Sequence, residues 1–280
     1  MKESLTQLLV HLDASAHAGQ RLEVARSIAQ THGAAVTALY AVTPALLVVP
    51  FAPEAGPSVA STLGQIDDER RAAARAAFDR SPALPGVHAA WAEVDDYPIV
   101  PAVVRQALYA DLLVLGQYDP EDSESAGIPF DFPEQVMAGS GKAALVLPYA
   151  GLPAAVGQTV AIAWKATREA ARAVSAAVPL LQRARQVHVL SWGDEQEPVG
   201  GARLDLDSYL RLRGVEPVWH REAGPEPKEL GDLLLSRAFD LEADLLVMGC
   251  YGHSRAREWV LGGTSRTVLR SMTLPVLMAH

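Results

Sequence analysis

Apolar positions along this chain fall into short, unbroken runs separated by longer stretches with helical spacing. Leu8–Leu12, Ala35–Ala41, His88–Ala92, Leu112–Leu115 and Ala144–Leu147 read as strands in the first half. Helical patterns lie between them, over Ala16–Thr31, Ile66–Phe78 and Ile99–Tyr109, with a short one over Pro133–Ala138. The second half repeats the alternation. Its strands are Val160–Ala163, Val187–Ser191, Val215–Trp219, Leu245–Met248 and Val276–Met278, and its helices Arg168–Leu181, Arg203–Arg213, Leu230–Glu242 and Ser265–Ser271. Runs of Leu and Val without polar alternation suit strands buried on both faces, as in a parallel sheet covered by helices. The pattern predicts two doubly wound, Rossmann-like α/β domains, each with a five-stranded parallel sheet and ligands at the carboxyl ends of its strands.

The repeat is visible residue by residue. Ala110-Asp111-Leu112-Leu113-Val114-Leu115-Gly116-Gln117-Tyr118 returns as Ala243-Asp244-Leu245-Leu246-Val247-Met248-Gly249-Cys250-Tyr251. Each half also closes on a short apolar run, Leu145-Val146-Leu147 and Val276-Leu277-Met278. The period is too long for a solenoid and fits duplicated domains, 1–150 and 151–280, joined through the Pro/Gly/Ala stretch 148–157. The segment Ala45–Gly64, rich in proline and small residues, predicts a long loop over one strand-end crevice.

Composition narrows the class of protein. Hydrophobic residues make up 49% and charged residues 20% of 280, as in ordinary globular domains. The longest apolar stretch, Ala45–Ala52, is interrupted by proline and too short to span a bilayer, and the N-terminus has no signal-peptide pattern. A cytoplasmic location follows as an expectation, with no membrane partner. A single cysteine excludes an internal disulfide, and no Cys/His set has zinc spacing. The formal charge of −9 lies wholly in residues 1–150, while 151–280 are balanced. An acidic chain without a basic, aromatic-interleaved stripe is not a nucleic-acid binder.

The candidate chemistry is at the end of the second half. Gly249 and Gly252 follow a strand-like run, and nine residues separate Gly252 from Gly262 and Gly263, which precede Thr264, Ser265 and a helical pattern. Glycines there free the backbone to turn and approach a ligand, and a helix N-terminus offers unpaired N–H groups and a positive dipole end to a phosphate. His253, Arg255, Arg257, Arg266 and Arg270 give the neighbourhood a positive balance; His253 is read first as a polar loop residue. Gly139-Ser140-Gly141-Lys142 imitates a P-loop, but Val136 and Ala143 replace residues that motif needs, so a helix C-cap is the reading. Cys250 is read as a small, partly buried loop residue, against the alternative of an oxidisable thiolate beside a helix N-terminus, and Trp164 and Trp192, at strand ends, as packing residues or an aromatic wall.

The pattern Gly249-x-x-Gly252, nine residues, Gly262, followed by a helix and Pro275-Val276-Leu277, resembles the signature of universal stress proteins. Leu9-Val10-His11-Leu12-Asp13-Ala14-Ser15 resembles that family's opening strand and turn. The resemblance spans both halves and implies a tandem arrangement, a pseudo-twofold pairing of the two domains through their last strands, and a further homodimer. It also implies ATP as ligand, with Mg²⁺ as its accompanying ion, on a stress-response protein that acts through an unknown protein partner. By the same resemblance, the aspartate after the first strand lies near adenosine and the glycine loop holds the phosphates.

The two halves depart from that pattern in opposite ways. The first keeps Asp13, but its loop reads Gly116-Gln117-Tyr118-Asp119, followed by Glu121, Asp122 and Glu124. Acids facing a triphosphate oppose binding. The second keeps the glycines but has Lys165 in place of the aspartate and Gly263 where the family has Ser or Thr. The nucleotide-binding expectation therefore rests on Gly249, Gly252, His253, Gly262, Gly263, Thr264, Ser265 and Lys165, against the alternatives of a nucleotide-free dimerisation and interaction protein or a binder of another anionic metabolite. No nucleophile elbow or placed carboxylate pair occurs, so no catalytic residue is expected and at most slow ATP hydrolysis.

Overall fold

The structure, a computed structural model, describes residues 2–49, 56–94, 96–150, 155–193, 204–222, 224, 227–250 and 263–280. It divides into two units. One comprises Ser4–Tyr149, and the other Ala150–His280 with the first residues of the chain. Glu3 belongs to the second unit because its N–H donates to Gln182 Oε1 (2.6 Å) and its carbonyl accepts from Arg183 (2.8 Å).

The first domain contains strands β1 (Gln7–Leu12), β2 (Ala35–Tyr40), β3 (Ala89–Glu93), β4 (Leu112–Gly116) and β5 (Ala144–Leu147). They form a parallel sheet in the order β3-β2-β1-β4-β5. The second contains β6 (Thr159–Trp164), β7 (Gln186–Trp192), β8 (Pro217–Glu222), β9 (Leu245–Gly249) and β10 (Val276–Ala279). Its order, β8-β7-β6-β9-β10, is the same topology, again all parallel. The central strands are buried along nearly their whole length, which explains their unalternating Leu and Val. In both sheets the connections reverse direction beside the first strand, so the ligand crevice of this fold lies between β1 and β4 and between β6 and β9.

Helices of the first domain are α1 (Ala18–His32), α2 (Ala45–Val48), α3 (Pro57–Arg80), α4 (Ile99–Ala107) and α5 (Phe132–Ser140). Those of the second are α6 (Arg168–Leu181), α7 (Leu206–Arg211), α8 (Leu230–Asp240) and α9 (Thr264–Ser271). Gly141 ends α5 in the left-handed region (φ 65°), its N–H bonded to Met137 O, so the P-loop imitation is a helix C-cap as expected.

The repeated Ala-Asp dipeptide has a shared structural function. Asp111 accepts from the N–H groups of Thr6 (2.7 Å) and Gln7 (3.0 Å), and Asp244 accepts from those of Gly157 (2.8 Å) and Gln158. Each carboxylate ties the start of its domain's first strand to the start of the fourth. The physical need recurs with the duplication, so the residue does too.

Two expectations are corrected. Ala45–Gly64 is not one long loop, since α2 occupies Ala45–Val48 and α3 begins at Pro57. Proline at the first helical position has its φ preset and loses no bond there, while Gly56 before it takes φ 92°. Asp67 on α3 accepts from Ala45 N (3.0 Å), and Ala45 and Leu63 form a small core with Leu46, Val59 and Ile66. The strand expected at Val215–Trp219 runs instead from Pro217 to Glu222, because Gly214 (φ 74°) and the bond from Val215 N to Leu210 O still belong to the end of α7.

Candidate functional site

Each crevice is built from the turn after the first strand, the first turn of the following helix, and the end of the fourth strand. In the first domain Asp13 leaves β1 and is buried with Arg21 of α1. The guanidinium Nη2 of Arg21 donates to Asp13 Oδ1, which also accepts from Ser15 N (3.0 Å), and Arg21 Nε donates to His11 O (3.2 Å). Burial alone would push the Asp13 carboxyl up, but the Arg21 charge, with His11 and the hydrogen bonds from Ser15 and Arg21, brings it down to about 2. His11 is pushed below its ordinary value by burial, which outweighs the opposing effect of Asp13. Its Nε2 lies 2.8 Å from Ala41 O, and its ring packs 4.6 Å from that of Phe132 at the start of α5.

Arg21 also explains Gly116. A Cβ added there would stand 2.3 Å from Arg21 Nη1. The glycine that opens a phosphate loop in the resemblance thus admits the protein's own arginine. The acids beyond it are equally engaged. Asp119 and Asp122 cap the N–H groups of Glu121 and Glu124 (2.9 Å each), and Glu124 in the 3-10 turn Ser123–Gly127 pairs with Arg70 of α3 (2.9 Å). Gly127 O accepts from Thr43 N (2.9 Å), and a Cβ on Gly127 would meet Val42 Cγ1 at 2.4 Å, so the turn is seated on the residues after β2. Beside Asp13 and Ser15, a groove of about 280 Å³ opens between α1 and α3, flanked by Glu23, Ala77 and Arg80.

In the second domain Lys165 is exposed after β6, in a turn closed by Thr167 N donating to Lys165 O (2.7 Å). Thr167 then caps α6, its hydroxyl accepting from Ala170 N (3.3 Å). The first turn of α6 lies directly on Gly249. A Cβ there would be 2.6 Å from Ala170 N and 2.9 Å from the carbonyl carbon of Glu169. Glu169 is buried; burial raises its pKa, but the Arg168 guanidinium, its own backbone N–H and His280 hold it below the usual carboxylate range. Cys250 is fully rather than partly buried, with its N–H bonded to Ala279 O (2.9 Å) and its carbonyl 3.2 Å from His280 Nδ1.

Gly263 precedes α9 with φ −65°, open to any residue, and as N-cap it offers the helix no side-chain hydrogen bond. Thr264 begins α9 and Ser265 is buried in its first turn. Gly231 of α8 approaches α9 closely, where a Cβ would meet Thr267 at 2.7 Å and Thr264 O at 3.2 Å. Trp164 and Trp192 stand at the carboxyl ends of β6 and β7, and Trp192 Nε1 donates to Glu222 Oε2 (3.0 Å). Gly252, His253 and Gly262 lie outside the described residues, as do Arg255 and Arg257. The structure therefore gathers Lys165, Gly249, Gly263, Thr264 and Ser265 as residues at the carboxyl side of one sheet.

Sequence reasoning missed Arg21, Phe132 and Glu169. A signal existed for Arg21, which falls on the stripe of Ala18, Leu22, Ala25 and Ile28 that α1 buries. A charge on an inward stripe implies a buried partner. Among the described residues no group of three or more His, Cys, Asp or Glu is placed to hold a metal, and no helix is long and apolar enough to cross a membrane.

A parallel five-stranded sheet with this order and helices between its strands defines a Rossmann-like α/β class shared by both domains. Residues 157–280 match the model of the Universal stress protein family. A universal stress protein from Archaeoglobus fulgidus DSM 4304 superposes with a TM-score of 0.67 at 16% identity, covering 98% of this chain and 95% of that one. A putative universal stress protein from Pseudomonas aeruginosa UCBPP-PA14 gives 0.56 at 15% identity over 98% and 92%. A functionally unknown protein from Pseudomonas aeruginosa PAO1 gives 0.56 at 14% identity, with the same coverages. No curated protein matches. The second domain is thus similar to the Universal stress protein family over residues 157–280, and the first carries the same fold.

Proposed function

We propose that this is a stress-response protein that binds ATP or a related nucleotide through the glycine loop of its second domain and acts as a sensor or switch. The observation that carries the reading is the asymmetry between the domains. Residues 157–280 match the family model, while the first domain's crevice is occupied by the Asp13–Arg21 pair. In the second, Lys165 is exposed beside the strand ends and the N-cap of α9 is Gly263, which offers no side-chain cap of its own. A helix N-terminus and a cation supply charge complementary to phosphate. Mg²⁺, where it accompanies the nucleotide, would be carried by the phosphates. Binding would bias a surface read by a protein partner. A cytoplasmic location and a homodimer belong to the same proposal.

A second reading has its own observation. Gly249 is already required for the close approach of α6, so this glycine would persist in a nucleotide-free interaction protein, and Glu169 beside it disfavours a triphosphate. Calorimetry with ATP separates the two. Saturable heat from the full chain that is lost in Gly252→Asp and retained in Arg21→Met supports the first reading. Absence of heat at millimolar ATP overturns it, and a signal unchanged by Gly252→Asp places the ligand elsewhere.

A further inference from the structure

On the outer strands of the second domain, three polar side chains meet on one sheet face. Gln186 and His188 are two apart on β7 and so point the same way; His188 pairs with Val218 and Leu190 with His220, which puts His220 one step along on that face. His188 Nδ1 lies 3.0 Å from His220 Nε2, and His188 Nε2 lies 3.3 Å from Gln186 Oε1. An amide oxygen only accepts, so His188 carries its proton on Nε2 and turns a lone pair on Nδ1 toward its neighbour. A proton on His220 Nε2 would bridge the rings; with that proton on Nδ1 of His220 instead, two lone pairs face the same 3.0 Å gap.

The separation matches two ligands of one metal ion. Metal–nitrogen bonds of about 2.0–2.1 Å at a right angle place the nitrogens about 2.8–3.0 Å apart, whereas a tetrahedral angle needs about 3.3 Å. The Gln186 contact is the one a ligating histidine uses on its other nitrogen to fix tautomer and ring orientation. Both rings hang from paired strands, which fixes their distance more firmly than loops would.

We propose that His188 and His220 form a two-imidazole site for a transition-metal dication of tetragonal preference, Cu²⁺ or Ni²⁺ rather than Zn²⁺, with Gln186 as positioning residue and water completing the coordination. With two protein ligands the site is open and of modest affinity. It is independent of the nucleotide reading.

The test titrates the untagged full chain with CuCl₂, then NiCl₂ and ZnCl₂, in a weakly coordinating buffer by calorimetry, with electron paramagnetic resonance of the Cu²⁺ form. One Cu²⁺ per chain with two-nitrogen superhyperfine coupling is expected. His220→Asn, the milder change because His220 is only half-buried, weakens binding at least tenfold and abolishes that coupling, and Gln186→Leu weakens it about tenfold. Thermal melts establish that each variant is folded. Undiminished affinity and spectrum in folded His220→Asn, or no uptake at sub-millimolar Cu²⁺, overturns the site, and tighter binding of Zn²⁺ than Ni²⁺ overturns the tetragonal assignment.

Discussion

The two domains share a strand order and a glycine at the end of the fourth strand, yet they fill the space above that glycine differently. Over Gly116 lies the guanidinium of Arg21, locked to Asp13 and His11 O. Over Gly249 lies the backbone of α6 itself, with Glu169 and Ala170 in contact. One crevice is closed by a buried ion pair and a seated acidic turn; in the other, the helix has moved onto the strand and the lysine after β6 points outward. A glycine at a strand end therefore does not by itself indicate a ligand. It indicates that something approaches closely, and in both domains the described neighbour is the protein.

The strongest way to break this comparison is to remove the two charges. Arg21→Met leaves Asp13 buried without its partner and is expected to destabilise the first domain by about 3–5 kcal/mol. Adding Asp13→Asn should return a large part of that loss, because a neutral amide no longer demands a cation. Glu169→Gln, the corresponding change in the second domain, should cost no more than about 1 kcal/mol, since its partner Arg168 is 74% exposed and screened by water. Urea unfolding followed by hydrogen exchange assigns each loss to its domain. Equal costs would mean that Arg21 is no more of a plug than Glu169.

The glycines give a smaller and cleaner contrast. Gly249→Ala drives a methyl against the α6 backbone at 2.6 Å, which has nowhere to go without shifting the helix, and about 1–3 kcal/mol of overpacking is expected. Gly116→Ala meets the end of a side chain instead. In the Arg21→Met background, where that side chain is gone, Gly116→Ala should cost under about 1 kcal/mol. Thermal unfolding of the four variants decides it; a Gly116→Ala penalty that persists without Arg21 would contradict the assignment of that contact.

These contrasts also show what the sequence could and could not convey. The strands were legible because burial on both faces leaves no polar position in Leu112–Leu115 or Leu245–Met248, and the Gly141 cap because its chemistry is local. Helix α3 was legible only from Ile66 on. Its first turns are Ser, Ala, Thr and Gly, whose helicity comes from packing Leu63 against Ala45 rather than from an apolar stripe. The acids of the first-domain loop were visible as a departure from the phosphate-loop pattern. That they cap their own turn and pair with Arg70 was not, because Arg70 is far away in sequence. Of the residues expected to bind nucleotide, Lys165, Gly249 and Thr264–Ser265 fall at the strand ends through topology alone, which is the part that a βα repeat specifies. Glu169 at Gly249 depends on the phase of α6, which no motif fixes.

Acid should separate the domains' first strands further. His11 is buried with its pKa lowered from 6.5, so the unfolded chain takes up its proton first, and stability falls as the pH drops through 6.5. Asp13 acts in a lower window, because a carboxyl held at about 2 against 3.8 contributes stability that is lost only as the pH falls between those values. The position corresponding to His11 in β6 is Ala163. His11→Gln should flatten the first loss and leave the second, measured as hydrogen-exchange protection of β1 against pH. An unaltered profile would show that His11 is not the group that takes up the proton.

The smallest test concerns how the two helices begin. Helix α6 starts from Thr167 in extended geometry (φ −124°, ψ 159°), its hydroxyl accepting from Ala170 N, whereas His17 before α1 is already in the helical region (φ −94°, ψ −4°) and contributes no side-chain cap. Removing a working cap costs about 1 kcal/mol, so Thr167→Ala should lower the second domain's stability by roughly that amount while His17→Ala changes the first by less than about 0.5 kcal/mol. The difference follows from the turns. Domain one spends Ser15 on Asp13, and with it the residue type that would otherwise cap α1, whereas in domain two Thr167 caps the helix itself. Chemical denaturation of the two variants measures the contrast. A cost at His17 equal to that at Thr167 would mean that the Asp13 turn does not displace the cap.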